Sequence, residues 1–307
     1  MDEGMQPWAA IRDLTAKFVL SLAMLPASAI ASKTQRDFDP GPVLATRAGD
    51  SFDLENHAIG ARWSVTDGKV NNLVVSDRMH RTELRVAAPF VILLRDGTVY
   101  NSSILKLTGQ PTKHELTPQP EASRFADRLH GEEFDFPLES SDHSLRVVWS
   151  LILLDGSTYF RQLVAISAVG QDVPISRVEL IDLPLPGAHV SGSVAGSPIV
   201  AGNLFVGFEH PLSQSKVTGD RATAWIDRDL PLRAGQSITY SSVIGVARAG
   251  QRRRDFLAYV ERERAHPYRT FLHYNSWYDL GYFTPYDQAG ALDRVNLFGH
   301  EIGRAHV

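Results

Sequence analysis

Three Asp-Gly pairs, at 67–68, 96–97 and 155–156, constrain what this chain can fold into more than any other feature. An Asp-Gly step offers two residues that tolerate positive φ, which a tight turn between twisted strands requires. Each pair is flanked by β-formers: Trp63 and Val65 before the first, Val91 to Leu94 before the second, and Val147 to Leu154 with Tyr159 to Ile166 around the third. Each reads as a hairpin turn, and three of them imply antiparallel sheet. Further strands are expected at Val178 to Leu183, Val190 to Val194, Ile199 to Phe208 and Ile238 to Val246. Pro184 and Pro186 fall between the first two of these, where proline is tolerated. Short strands at regular intervals, with little helical period and no strand–helix alternation, predict a mainly β fold: a large antiparallel two-sheet β-sandwich over residues 32–250. No repeated unit argues for a solenoid or propeller.

After residue 250 the period changes. Phe256, Leu257 and Val260 fall at helical spacing with Tyr259 beside them, and Ala265-His266-Pro267 stops the helix, because residues before proline avoid the α region. This predicts a linker helix within 251–267. Arg252-Arg253-Arg254 opens it and Glu261 and Glu263 follow, which reads as a solvated face, although cations at a helix start oppose the macrodipole. Phe271 to Tyr274 is a short apolar run and reads as a buried strand. Thr284-Pro285-Tyr286-Asp287 looks like a helix start with Thr284 as N-cap, and Leu292, Val295 and Phe298 share one face of that helix. Residues 268–300 thus read as one βα unit.

Between that strand and helix lies Asn275-Ser276-Trp277-Tyr278-Asp279. Trp277 offers an apolar plate for a sugar face, with Tyr278 beside it, and Asn275 and Asp279 offer hydrogen-bond partners for hydroxyls. Asn275-Ser276-Trp277 after an apolar strand resembles the first strand of the catalytic barrel in α-galactosidase-type retaining glycoside hydrolases, families 27 and 36. The Asn-Ser-Trp flank is closer to family 27, and a β-sandwich ahead of the barrel is similar to family 36. The resemblance implies that 268–300 opens a truncated (β/α)8 barrel, that Trp277 walls the terminal-sugar pocket and that Asp279 lines it; Asn275 and Tyr278 join them as candidate substrate-binding residues by residue type. It implies cleavage of terminal α-linked sugars by double displacement, with a nucleophile and an acid/base about 5 to 5.5 Å apart. In those families both carboxylates come from later barrel strands, so no residue here is nominated as catalytic and this chain alone is expected to be inactive. Two other readings stand: a non-catalytic carbohydrate-binding or adhesion sandwich, and a sugar epimerase or lyase on the same plan.

Within the sandwich, Glu209 and His210 follow a strand and precede Pro211. If the sandwich loops lean over the barrel mouth, as the resemblance implies, Glu209 reaches substrate. Otherwise it is a loop carboxylate paired with an arginine, beside a capping imidazole. Asp53 and Glu55 read as solvated carboxylates on one strand face, and Trp63, Trp149 and Trp225 read as core. Histidines 57, 80, 130, 143 and 189 lack the spacing of a zinc motif, and there is no phosphate loop, so neither metal nor cofactor is expected.

Charge is −4 with both signs interspersed, which gives no electrostatic case for nucleic acid. The expected partner is a carbohydrate. Lys17, the apolar run Phe18 to Leu25 and the Ala27-Ser28-Ala29 site make a signal peptide over residues 1–31, too short to span a bilayer, so a secreted or periplasmic location is expected. Residues 301–307, Glu-Ile-Gly-Arg-Ala-His-Val, match codon for codon the translation of a sequencing-adapter start. The expectation is that the native chain continues beyond about His300.

Overall fold

The computed structural model describes residues 38–269 and 273–305. The signal-peptide segment, Phe271 and Leu272 of the expected barrel strand, and the last two residues lie outside that set. Compactness divides the chain into Met1–Asp39 and Pro40–Val307, and every named element belongs to the second unit.

Among the described residues nineteen strands follow in order. They are β1 Leu44–Ala48, β2 Ser51–Glu55, β3 Ile59–Thr66, β4 Lys69–Asp77, β5 Thr82–Val86, β6 Val91–Leu94, β7 Val99–Asn101, β8 Lys106–Leu107, β9 Thr112–Leu116 and β10 Gly131–Glu139. After these come β11 Leu145–Leu154, β12 Tyr159–Ala168, β13 Ile175–Pro184, β14 His189–Val190, β15 Ile199–Ala201, β16 Leu204–Phe208, β17 Gln214–Thr218, β18 Arg221–Asp227 and β19 Ser237–Val246. Helices α1 Arg252–Glu263, α2 Ser276–Asp279 and α3 Gln288–Ala305 close the chain, and a single 3-10 turn, Phe125–Arg128, precedes β10. The fold is mainly β and antiparallel, a β-sandwich with a small helical part.

One layer is a nine-stranded sheet in the order β14-β15-β16-β19-β12-β11-β10-β8, with β9 also pairing β10. Facing it are two five-stranded sheets, β1-β2-β3-β4-β5 and β17-β18-β13-β6-β7. The expected second sheet is therefore split, and the break falls at Pro89 between β5 and β6. Proline has no amide hydrogen to continue a ladder, and the Pro89 carbonyl is instead bonded by Gln162 Nε2 at 2.9 Å.

The Asp-Gly turns behave as their chemistry requires. Asp67 (φ 53°) and Gly68 (φ 72°) join β3 to β4, Gly97 (φ 89°) lies between β6 and β7, and Gly156 (φ 65°) between β11 and β12. The Ile199–Phe208 run differs from expectation. It is two strands, because Gly202 at φ 54° turns the chain back with Asn203, and Val190–Val194 shrinks to a two-residue strand.

Strand alternation places one set of side chains between the layers. Phe52 and Trp63 from the first small sheet meet Phe134, Phe136 and Trp149 from the large one, with ring centroids 5.0 to 5.8 Å apart. Each of these five is at most 1% exposed. Trp63 and Trp149 are core, as expected. Trp225 is not: it lies on an outer face, half-buried, with the Arg177 guanidinium 4.7 Å over its ring and its indole N–H donated to Asp227 at 3.0 Å.

On the outer face of the large sheet, Tyr159, Val200, Phe205 and Val243 form a second apolar cluster with Tyr259, flanked by Phe256 and Val260. Helix α1 is thus docked on the sandwich. Gly245 makes room for this layer, since an added Cβ there would overlap the Phe205 ring. Gly245→Ala is expected to destabilise the fold by about 1–3 kcal/mol, as overpacking does, and urea unfolding would measure it. The reversed polarity of the α1 start also has its reason. Asp255 in the first turn is buried and accepts the Arg248 amide at 2.7 Å, while Arg252 donates to the Gly202 carbonyl at 2.8 Å.

Candidate functional site

Asn275, Tyr278 and Asp279 line a cavity of about 740 Å³ between α3 and residues 273–279, and Ser276 and Trp277 do not. Asn275 begins the arrangement. Its Oδ1 accepts the Trp277 amide at 3.0 Å and caps α2, a one-turn helix. His273 and Tyr274 are not in a strand, so the described part of the expected Phe271–Tyr274 strand is irregular.

The helical turn aims successive side chains differently. Tyr278 and Asp279 line the cavity with Asn275, while Trp277 turns away and stacks on Tyr282 at 4.0 Å and 22°, donating its indole N–H to the Tyr282 carbonyl at 2.8 Å. Trp277 stays 49% exposed and Tyr278 90%, so both keep aromatic surface available. Asp279 accepts the Tyr274 hydroxyl at 2.8 Å and faces Arg294 of α3 at 3.5 Å. Desolvation and the Asp279 carboxylate raise the Tyr274 phenol above its ordinary value, so Tyr274 is the donor. Val295 and Phe298 supply the apolar wall, and the Phe298 ring stands 5.3 Å from Tyr274.

Helix α3 begins at Gln288, not after Thr284. Asp287 Oδ1 accepts the Gly290 amide at 2.9 Å, and a carboxylate there both satisfies an orphan amide and complements the helix dipole.

Glu209 lies elsewhere, over the outer face of the large sheet. Its Oε2 accepts Arg161 Nε at 2.6 Å and its Oε1 accepts the Tyr259 hydroxyl at 2.7 Å. His210 Nδ1 accepts the Leu212 amide at 3.2 Å. Arg161 also reaches Glu263, 3.5 Å away, and Glu263 accepts the Tyr159 hydroxyl at 2.8 Å. Burial opposes the Arg161 charge, but Glu209 and Glu263 together outweigh it and the guanidinium holds its proton more tightly than usual. Burial raises the Glu263 carboxyl, with Arg161 and Tyr159 pulling the other way, and burial raises the Tyr159 and Tyr259 phenols. The network ties α1 to the sheet.

Arg161, Tyr159, Glu263, Tyr274 and Arg294 were not legible as site residues. One signal existed: Phe256, Tyr259, Val260 and Glu263 share helical spacing, so Glu263 continues the buried stripe rather than the solvated face. Glu261, by contrast, is 60% exposed and pairs with Arg264. Asp53 and Glu55 find their cations across the sheet, in Arg62 at 2.8 Å and in Arg78. Among the described residues no group of three or more His, Asp or Glu side chains is placed to hold a metal ion. No helix among them is long and apolar enough to cross a membrane.

No protein-family model and no curated protein matches the chain. Solved structures do. The GH36 α-galactosidase AgaB from Geobacillus stearothermophilus is similar at 12% identity and TM-score 0.43, over 66% of this chain and 40% of that one. The galactosidase domain of α-galactosidase-sucrose kinase AgaSK is similar at 10% identity and TM-score 0.44, over 66% and 41%. YidC from Thermotoga maritima is similar at 11% identity and TM-score 0.35, over 70% and 54%. The chain spans about 40% of the length of the two galactosidases.

Proposed function

We propose that this chain carries the sugar-facing opening of a secreted glycoside hydrolase that acts on terminal α-linked sugars by a retaining double displacement. The observation that carries the proposal is the turn at Asn275–Asp279. It places a carboxylate, an amide side chain and a tyrosine around one cavity, with a half-exposed tryptophan on the same turn.

A pyranose presents an apolar C–H face and a rim of hydroxyls. The first suits an aromatic plate, and the second suits acceptors such as Asp279 and donors such as Arg294. Asp279 is held by Tyr274 and Arg294, so its free lone pairs are oriented before a ligand arrives. Such preorganisation favours binding of one sugar orientation. The residues that break the glycosidic bond are not among those described, and Asp279 is assigned to binding.

The test is a titration of the full chain with methyl α-D-galactopyranoside, followed by tryptophan fluorescence and by calorimetry. Binding is expected with about tenfold loss in Asp279→Ala, the cost of one charge-assisted hydrogen bond. An Asp279→Ala chain that binds as tightly as the parent would overturn the assignment. Equal binding by residues 273–299 variants generally, with the sugar held elsewhere on the sandwich, would favour a carbohydrate-binding module.

A further inference from the structure

A second cavity, of about 430 Å³, opens on the outer face of the large sheet. Its floor is Ile152 of β11 and Leu163 of β12, and its roof is the 3-10 turn with the C-terminal end of α1. An apolar floor with a few convergent polar groups, in this size range, is the ordinary construction of a small-molecule site.

The lining charges decide what fits. Four carboxylates, Glu115, Asp127, Glu133 and Glu263, face two guanidiniums, Arg124 and Arg161. Both guanidiniums are committed: Arg161 to Glu209 and Glu263, and Arg124 to Asp127 and Glu263. An anionic ligand would find no free cation there. Glu133 differs from its neighbours, because it forms no ion pair among the described residues. It stands two residues from Asp135 on the same strand face, so two carboxylates project together, and Asp135 is occupied by Ser150 at 2.6 Å and His114 at 3.3 Å. Burial, then the Asp135 charge, raise the Glu133 carboxyl above the usual range, while His114, its cross-strand neighbour, and Ser150 pull the other way without cancelling the rise.

The geometry points to a site for a small organic cation, in which an ammonium pairs with Glu133 and a compact apolar body lies over Ile152 and Leu163. It is separate from the Asn275–Asp279 cavity, shares no lining residue with it, and does not depend on the glycosidase reading.

The probe is cyclohexylamine, protonated at neutral pH, titrated into the full chain by calorimetry, with cyclohexanol as its neutral counterpart and methylammonium as the cation without an apolar body. Cyclohexylamine is expected to bind at least tenfold more tightly than either. Glu133→Gln is expected to reduce its affinity by about tenfold and leave cyclohexanol unchanged, the loss of one salt-bridged hydrogen bond. Equal affinity for the amine and the alcohol, or no heat from the amine at all, would overturn the proposal in the native chain, whether or not the variant folds. So would a folded Glu133→Gln chain with undiminished amine binding.

Discussion

Arg161→Ala is expected to lower folding stability by about 3–5 kcal/mol, the range for stripping one partner from a buried ion pair. The loss is not that of a favourable contact alone. Glu209 and Glu263 are 13% and 8% exposed at their side chains, and without Arg161 Glu209 keeps only the Tyr259 hydroxyl as donor while Glu263 keeps the Tyr159 hydroxyl and Arg124 at 3.4 Å. The pH dependence has a definite sign. Glu263 already titrates above its ordinary value, so the folded chain takes up its proton more readily than the unfolded one, and lowering the pH through that raised value favours the fold. Arg161 pulls that carboxyl down, so its removal raises Glu263 further, and the Arg161→Ala deficit should shrink as pH falls from 7 toward 4.5, the ordinary value of a glutamate carboxyl. Guanidinium chloride unfolding at a series of pH values checks both claims. A deficit below about 1 kcal/mol, the size of an exposed pair, would mean the network is solvated and that α1 is held by its apolar stripe.

Gln162→Ala should be comparably damaging for an opposite reason, since no charge is involved. Gln162 lies between the layers, 5% exposed. Its carbonyl accepts the Trp149 indole N–H at 3.0 Å, and its amide donates to the Leu180 and Pro89 carbonyls at 2.9 Å each, with Ser242 Oγ 2.7 Å away. One side chain thus ties the large sheet to β13 and to the Pro89 segment at the seam where the second layer breaks. Alanine leaves four polar groups unmatched, at about 1–3 kcal/mol each before relaxation, and opens a cavity beside Phe160. A net loss of about 3–5 kcal/mol is expected, within the range for large-to-small core changes. Gln162→Met, which restores volume but no bonds, should recover little of it. If methionine were nearly as stable as glutamine, packing and not hydrogen bonding would hold the seam.

The sequence by itself determined the hairpins, because Asp67-Gly68, Asp96-Gly97 and Asp155-Gly156 carry their conformation in their own covalent structure and need no distant partner. It determined α1 for a similar reason: a helical apolar stripe ending before proline is a local property. It also marked Trp63 and Trp149 as core, and Asn275–Asp279 as a polar and aromatic turn. Tertiary structure alone decided the rest. Whether Glu263 faces water or Arg161 depends on a strand about a hundred positions away, and helical spacing names the face without naming what covers it. Trp225 is aromatic and in a strand, yet sheet register puts it on the outer side beneath Arg177. Trp277 and Asp279 are neighbours on one turn, but a single helical turn swings one onto Tyr282 and the other into the cavity. The splitting of the second layer follows from where Pro89 meets Gln162, a contact between residues whose significance appears only when the sheets are stacked. Short-range chemistry is written in the chain, whereas pairing between distant charges and the side a strand residue faces are settled by packing.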